Sequence, residues 1–302
     1  MKGLASFIMR GRLQALLVAV AGSGSLLFCW ISAAAIALVA LRRGPGQGLW
    51  LLLWAVLPAA VLMVVFGDSG PFALLLGTTA LALVLRVTVS LPLALLASVP
   101  VGLLTGLAIA VFGGELLAQM LVFFDQFLAG LEQQMAAESA AVTLPRPTAT
   151  QVAGMLGAAN AMLSVLCLLL ARWWQAALYN PGGFGSEFRA LYYPPVVSTL
   201  LVVVAAALAA LGAEFRPWAA VCAVPLTAAG LALAHARVAE RGRGGGLLTA
   251  LYVGWMLVDL VKLMVVLLAV VDSWWGFRQR WAAAAAGKEV SRRDEDDRDN
   301  RH

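Results

Sequence analysis

Between Phe72 and Phe112 the chain carries a single charge, Arg86. As an α-helix at about 1.5 Å per residue, this segment would run roughly 60 Å, twice the hydrocarbon core of a bilayer. Backbone in lipid must satisfy its own hydrogen bonds, which leaves helices or closed barrels as spanning structures. The segment therefore has to fold as two spans, with Arg86, Thr88, Ser90 and Pro92 marking the turn between them. Composition extends the argument to the whole chain. Of 302 residues, 62% are hydrophobic and only 12% charged, about half the charged fraction of a soluble domain. The expected fold is all-α, a polytopic transmembrane helix bundle of about eight spans. Residues 1–287 are expected to form one membrane domain, and 288–302 a disordered, mixed-charge tail.

The remaining spans follow from the apolar runs. Leu13–Leu41 is interrupted at Gly22-Ser23-Gly24-Ser25, which predicts a broken or re-entrant first segment. Ala19-Val20-Ala21 resembles a signal-peptidase site, but a second apolar run follows at once, as in an uncleaved multi-span protein. Further spans are expected at Leu49–Phe66, Gln151–Ala171, Val196–Leu211, Trp218–Ala236 and Leu247–Val271, with Arg172-Trp173-Trp174 as an interfacial anchor. Residues 114–150 differ in being acidic. Leu117, Leu121, Phe124, Leu128, Leu131 and Met135 recur at helical spacing there, as in an external amphipathic helix or an extension of the helix before it. Basic loops at Arg42/Arg43, Arg86, Arg172/Arg189 and Arg237/Arg241/Arg243 belong in the cytoplasm by the positive-inside rule. The same count strands Arg278 and Arg280 outside, so one segment does not cross as counted.

Several functions are excluded. A net charge of +5 without a basic stripe of interleaved aromatics argues against nucleic acid. Two histidines and three scattered cysteines, Cys29, Cys167 and Cys222, offer neither a metal site nor a disulfide framework. No nucleophile, base and oxyanion donor assemble, so neither an enzyme nor a cofactor is expected. His235 and Glu240, at a helix end among arginines, fit a snorkelling cluster.

Two leads remain. Asp259 and Lys262 lie near the middle of the last predicted span, three residues apart on one helix face. They form either a self-neutralising pair or an intramembrane polar site for an ion or substrate. The loop Asn180-Pro181-Gly182-Gly183-Phe184 with Glu187 and Arg189 is either a connector or a gate that docks a cytoplasmic partner. It lacks the Gly-Lys-Ser/Thr of a P-loop.

The closing Asp272-Ser273-Trp274-Trp275-Gly276-Phe277-Arg278-Gln279-Arg280, with the Asn180–Phe184 loop and Glu187-Phe188-Arg189, resembles the YybS-like membrane proteins of bacteria over roughly Arg12 to Arg280. Trp274-Trp275-Gly276 departs from that family, where an acid precedes the Phe. Asp272, Phe277, Arg278 and Arg280 match its C-terminal motif. The resemblance implies a bacterial inner-membrane protein. The family in turn distantly resembles the substrate-binding subunits of energy-coupling-factor transporters, which implies a small-molecule ligand and a separate energising partner. A non-transporting envelope scaffold is the competing expectation.

Overall fold

The computed structural model describes residues 1–138, 143–242, 245–278, 280 and 281, so the expected disordered tail lies outside the described residues. Among these, every regular element is helical. The helices are α1 (Lys2–Arg10), α2 (Arg12–Ser23), α3 (Cys29–Arg43), α4 (Pro45–Phe66), α5 (Gly70–Thr88), α6 (Leu91–Leu96) and α7 (Ser98–Phe112). They continue with α8 (Gly114–Glu138), α9 (Ala149–Tyr179), α10 (Gly183–Arg189), α11 (Pro195–Ala210), α12 (Arg216–Arg241), α13 (Gly245–Leu257) and α14 (Asp259–Trp275). Among the described residues, six helical stretches are long and apolar enough to cross a membrane, or up to seven if the bent pair α13–α14 is one span. By length and composition the chain is a membrane-embedded helical protein; six or seven such stretches stand where about eight spans were expected. It divides into two compact units, Met1–Phe188 with Leu201–Pro225, and Arg189–Leu200 with Leu226–His302.

In the first unit, α2 and α3 are a hairpin. The break falls at the glycine-serine stretch, and Ser32 Oγ donates to the Ala19 carbonyl at 2.5 Å across the two arms. The arms have 12 and 15 residues, about 18 and 22 Å, so neither alone crosses a core of about 30 Å. Their free ends meet, because Arg43 donates to the Met9 carbonyl at 2.5 Å just before α2 begins. Arg86 at the end of α5 reaches the Leu41 carbonyl at 2.7 Å, capping the C-terminus of α3 with a cation. Arg42 lies 4.0 Å over the Tyr179 ring at the end of α9. The hairpin ends, the start of α4 and the ends of α5 and α9 therefore share one basic end.

The opposite end is mainly acidic. Gly67 closes α4 in the left-handed region, φ 72°, beside Glu115 and Gln119 of α8. Thr148 and Gln151 form a reciprocal capping box that starts α9 there. Gln151 also donates to the Ala213 carbonyl at 3.2 Å, and Trp218 donates to the Thr150 carbonyl at 3.0 Å. Asp68, Glu115, Asp125, Glu132 and Glu214 lie on this end against Arg146 and Arg216. The α7–α9 crossing holds the unit together. A β-carbon on Gly157 would fall 2.5 Å from the Gly102 carbonyl oxygen and 3.0 Å from the Gly106 nitrogen, so these backbones touch only because all three residues are glycine.

Three expectations change. The run Leu247–Val271 is two helices, α13 and α14, bent by 117° around Val258. Helix α9 runs on to Tyr179, and Trp174 is fully buried, 0% exposed, so it packs the core instead of anchoring an interface. The glycine-rich loop contains the short helix α10 after Gly182, whose φ is 87°. In the 114–150 segment, Leu116 and Leu117 pack on Ile109, Val152 and Ala153, with Leu121 and Phe124 partly buried beside them; Met135 further along the stripe is exposed. The predicted turn after Arg86 forms as expected, with Thr88 ending α5 and the Ser90 hydroxyl accepting from Leu93 N to start α6.

Candidate functional site

The first unit holds two adjoining cavities at its acidic end. One, of about 600 Å³, runs between α5 and α7 under the end of α4 and the start of α8. Its walls are apolar, Met63, Phe72, Leu76, Val101 and Leu104 among them, and Ser69, Thr105 and Glu115 are its polar members. The other, of about 300 Å³, reaches from the Asp68–Pro71 turn to Leu26 and Cys29 at the tip of the α2–α3 hairpin. Ser69, Ala73, Thr105, Ile109 and Leu116 line both, so the two spaces share a wall. Both volumes fall at or near the range of small-molecule pockets.

The polar wall has a clear origin. Asn160, on the α9 face that turns toward α5 and α7, is only 7% exposed. Its amide donates to Thr105 Oγ1 at 2.9 Å, and Thr105 in turn donates to the Val101 carbonyl at 2.8 Å. Gly77 opposite has no side chain because a β-carbon there would meet Ser164 Oγ at 2.6 Å and Val101 at 2.9 Å. At the mouth, Asp68 accepts from Gly70 N at 2.7 Å and Glu115 accepts from Gln119 at 3.1 Å. Neither cavity is lined by a basic residue. Two helix N-termini (α5, α8) and two C-termini (α4, α7) meet at this mouth. Their dipoles oppose one another, which leaves the carboxylates as the net charge.

The sequence leads lie elsewhere. Lys262 pairs with Asp259 at 2.7 Å, but the Asp259 side chain is 95% exposed and begins α14 at the bend. Neither residue lines the three cavities described for this chain. In the glycine-rich loop, Asn180 ends α9, and Gly183 and Phe184 open α10. Phe184 stacks on Phe188 at 5.9 Å, and Glu187 pairs with Arg172 at 2.7 Å.

In the second unit the C-terminal motif forms a polar knot. Asp272, 3% exposed, accepts from Phe277 N at 3.0 Å and faces Arg278 at 3.3 Å. Gly276 turns the chain back between them in the left-handed region, φ 57°. Arg278 donates to the Arg189 carbonyl at 2.7 Å and, more loosely, to the Ala229 carbonyl at 3.4 Å. Tyr192 donates to the Ser273 carbonyl at 2.9 Å. Two stretches that sequence reading treated separately, 189–192 and 272–278, are thus one assembly. Burial pushes the neighbouring Tyr193 phenol above its ordinary pKa. Arg280 takes no part in the knot; its backbone N–H donates to the Gly276 carbonyl at 3.2 Å.

Sequence reasoning missed Asn160, Thr105 and Ser69. The signal was present, since Asn160 is the one Asn or Gln inside the apolar run after Gln151, and a polar side chain in a span marks a functional position by default. Among the described residues no group of His, Cys, Asp or Glu could hold a metal ion. No family model, curated protein or solved structure matches the chain.

Proposed function

We propose that this chain is a multi-pass protein of the bacterial inner membrane that binds a small, largely apolar molecule and assists its transport with a separate energising partner. The observation that carries this reading is the pair of adjoining cavities between α5, α7 and the hairpin tip. Their apolar walls suit a hydrocarbon body and the Asn160–Thr105 pair offers hydrogen bonds. Asp68 and Glu115 favour a neutral or cationic polar group over an anionic one. Kinship with the YybS-like family, and through it the likeness to energy-coupling-factor subunits, is part of the same proposal. The Phe184, Glu187 and Arg189 region, at the basic end of α9, would face the energising partner.

The ends that meet in the first unit support a topology for this reading. Helices α4, α5, α6–α7 and α9 run between the basic and acidic ends. The chain then has to return from Tyr179 to Ala213, and α11, with 16 residues, is the helix that makes that passage. Helix α12, with 26 residues, crosses back. Helix α8 is long and apolar enough to span, yet Arg146, two residues before the α9 cap, pairs with both Asp125 and Glu132. It therefore leaves and returns on the acidic, external face. Arg237 near the end of α12 sits 4.4 Å over the Trp281 ring, so α13–α14 departs from and returns to the same side. Of the two forms a bent pair can take, a broken span or a re-entrant loop, that contact favours the re-entrant loop. This reading has six crossings, with the α2–α3 hairpin and the bent pair as re-entrant segments, in place of about eight simple spans.

The test is mass spectrometry of the purified full-length protein for co-purifying small molecules, beside Ala80→Trp and Ala108→Trp, which fill the larger cavity. A bound molecule lost from both variants is the expected result. A molecule retained by both would remove the cavity from the proposal. A folded wild type that carries no ligand and pulls down a stable envelope protein through Glu187 and Arg189 would favour the scaffold reading instead.

A further inference from the structure

A third cavity, of about 470 Å³, lies at the basic end of the first unit. It is lined by Arg12, Arg43, Gln47 and Trp50, with Ala15, Val39 and Leu51 as its apolar side and Gly44–Gly46 as backbone. No carboxylate lines it, and among the described residues neither arginine has an ion-pair partner. Arg43 donates to the Met9 carbonyl, but a guanidinium carries five N–H groups, so most of its donors remain for a ligand. Two uncompensated guanidiniums on one cavity repel each other, and an anion between them relieves that cost.

We infer that this cavity binds the phosphate of an anionic phospholipid from the cytoplasmic leaflet. Three observations favour a lipid over a soluble phosphate. The cavity wall is half apolar, which a hydrated inorganic ion would not use. Trp50 packs edge-on against Trp54 at 6.3 Å along α4, the placement of an interfacial aromatic pair. Leu13, Leu49 and Leu53 beside these residues are all exposed, so an apolar surface continues from the cavity for an acyl chain to follow. Anionic lipids concentrate in the cytoplasmic leaflet, and basic pockets between helices on that side recognise their head groups.

The test is native mass spectrometry and thermal unfolding of the purified full-length protein, titrated with phosphatidylglycerol, cardiolipin, phosphatidylcholine or inorganic phosphate. Phosphatidylglycerol or cardiolipin should bind at least ten-fold more tightly than phosphatidylcholine and raise the unfolding midpoint. Arg12→Gln/Arg43→Gln should lose that preference, and Arg12→Lys should keep part of it. Arg43→Gln also removes the Met9 bond, so Gly46→Phe serves as an independent block. Gly46 lines the cavity and a β-carbon there meets no atom within 4 Å, so a ring at this position narrows the cavity wall without crowding a helix. Equal binding of phosphatidylcholine, or unchanged lipid preference in Gly46→Phe, would overturn the inference. Protection by inorganic phosphate as strong as by lipid would reassign the cavity to a soluble anion and overturn it as well.

Discussion

Helix α14 carries an acid–base pair at each end, and the two are opposites. Asp259 and Lys262 lie 2.7 Å apart, three residues apart in sequence, with the acid 95% exposed. Asp272 and Arg278 are longer, at 3.3 Å, but the carboxylate is only 4% exposed and the guanidinium 19%. Among the described residues the shorter pair joins no second segment, whereas the longer one joins three chain segments through the Arg189 and Ala229 carbonyls. The difference teaches that an ion pair in an apolar sequence gains its importance from what surrounds it. A charge deep in a run of hydrophobic letters is not deep in the protein if the helix breaks there.

That contrast can be attacked in order of effect. The largest test asks whether both ends of the bent α13–α14 pair face one side. In a chain with its three native cysteines replaced, Glu240→Cys and Arg280→Cys should both react with an impermeant thiol reagent only from the cytoplasm. Labelling from opposite sides would make α13–α14 a crossing and undo the comparison. Next, Asp272→Ala leaves the Arg278 charge half-enclosed without its partner. Thermal unfolding in detergent should show a loss of about 3 kcal/mol, and the double change with Arg278→Met should recover part of it. Arg278→Lys keeps the charge but loses the fork to two carbonyls, with an expected loss of about 1–2 kcal/mol. Tyr192→Phe removes one hydrogen bond to Ser273, about 1 kcal/mol. Asp259→Asn should leave the unfolding midpoint where it was; a marked drop would mean that this end of the helix is buried by something the isolated chain does not contain.

Much of the fold was legible because hydrocarbon is a demanding solvent. The turn after Arg86 followed from helix length alone, and the hairpin break followed from two glycines beside two serines. The break at Val258 was harder, since no Gly or Pro stands there. Asp259 was in fact the signal, because an acid in the first turn favours a helix start, but among so many apolar neighbours it was taken for an interior charge. Trp173-Trp174 looked like an interfacial pair because sequence cannot say which face of α9 is packed; Trp174 faces the core. The partners of Asp272 and Arg278 were beyond local reasoning, since Arg189 and Arg278 are joined across 89 positions of chain. Asn160 could have been found, and its amide would have pointed to the cavity wall.

The α2–α3 hairpin has a consequence for how the protein is made. An arm of 12 residues is too short for the insertion machinery to hold as a completed crossing. The tip at Ser25–Phe28 must therefore wait for later segments to cover its turn. Gly24 rests against Pro58, and Cys167 bonds the Trp30 carbonyl at 3.6 Å, so α4 and α9 supply that cover. The hairpin thus reaches its final place only after residue 167 has been synthesised, and truncation before α9 should leave it unanchored.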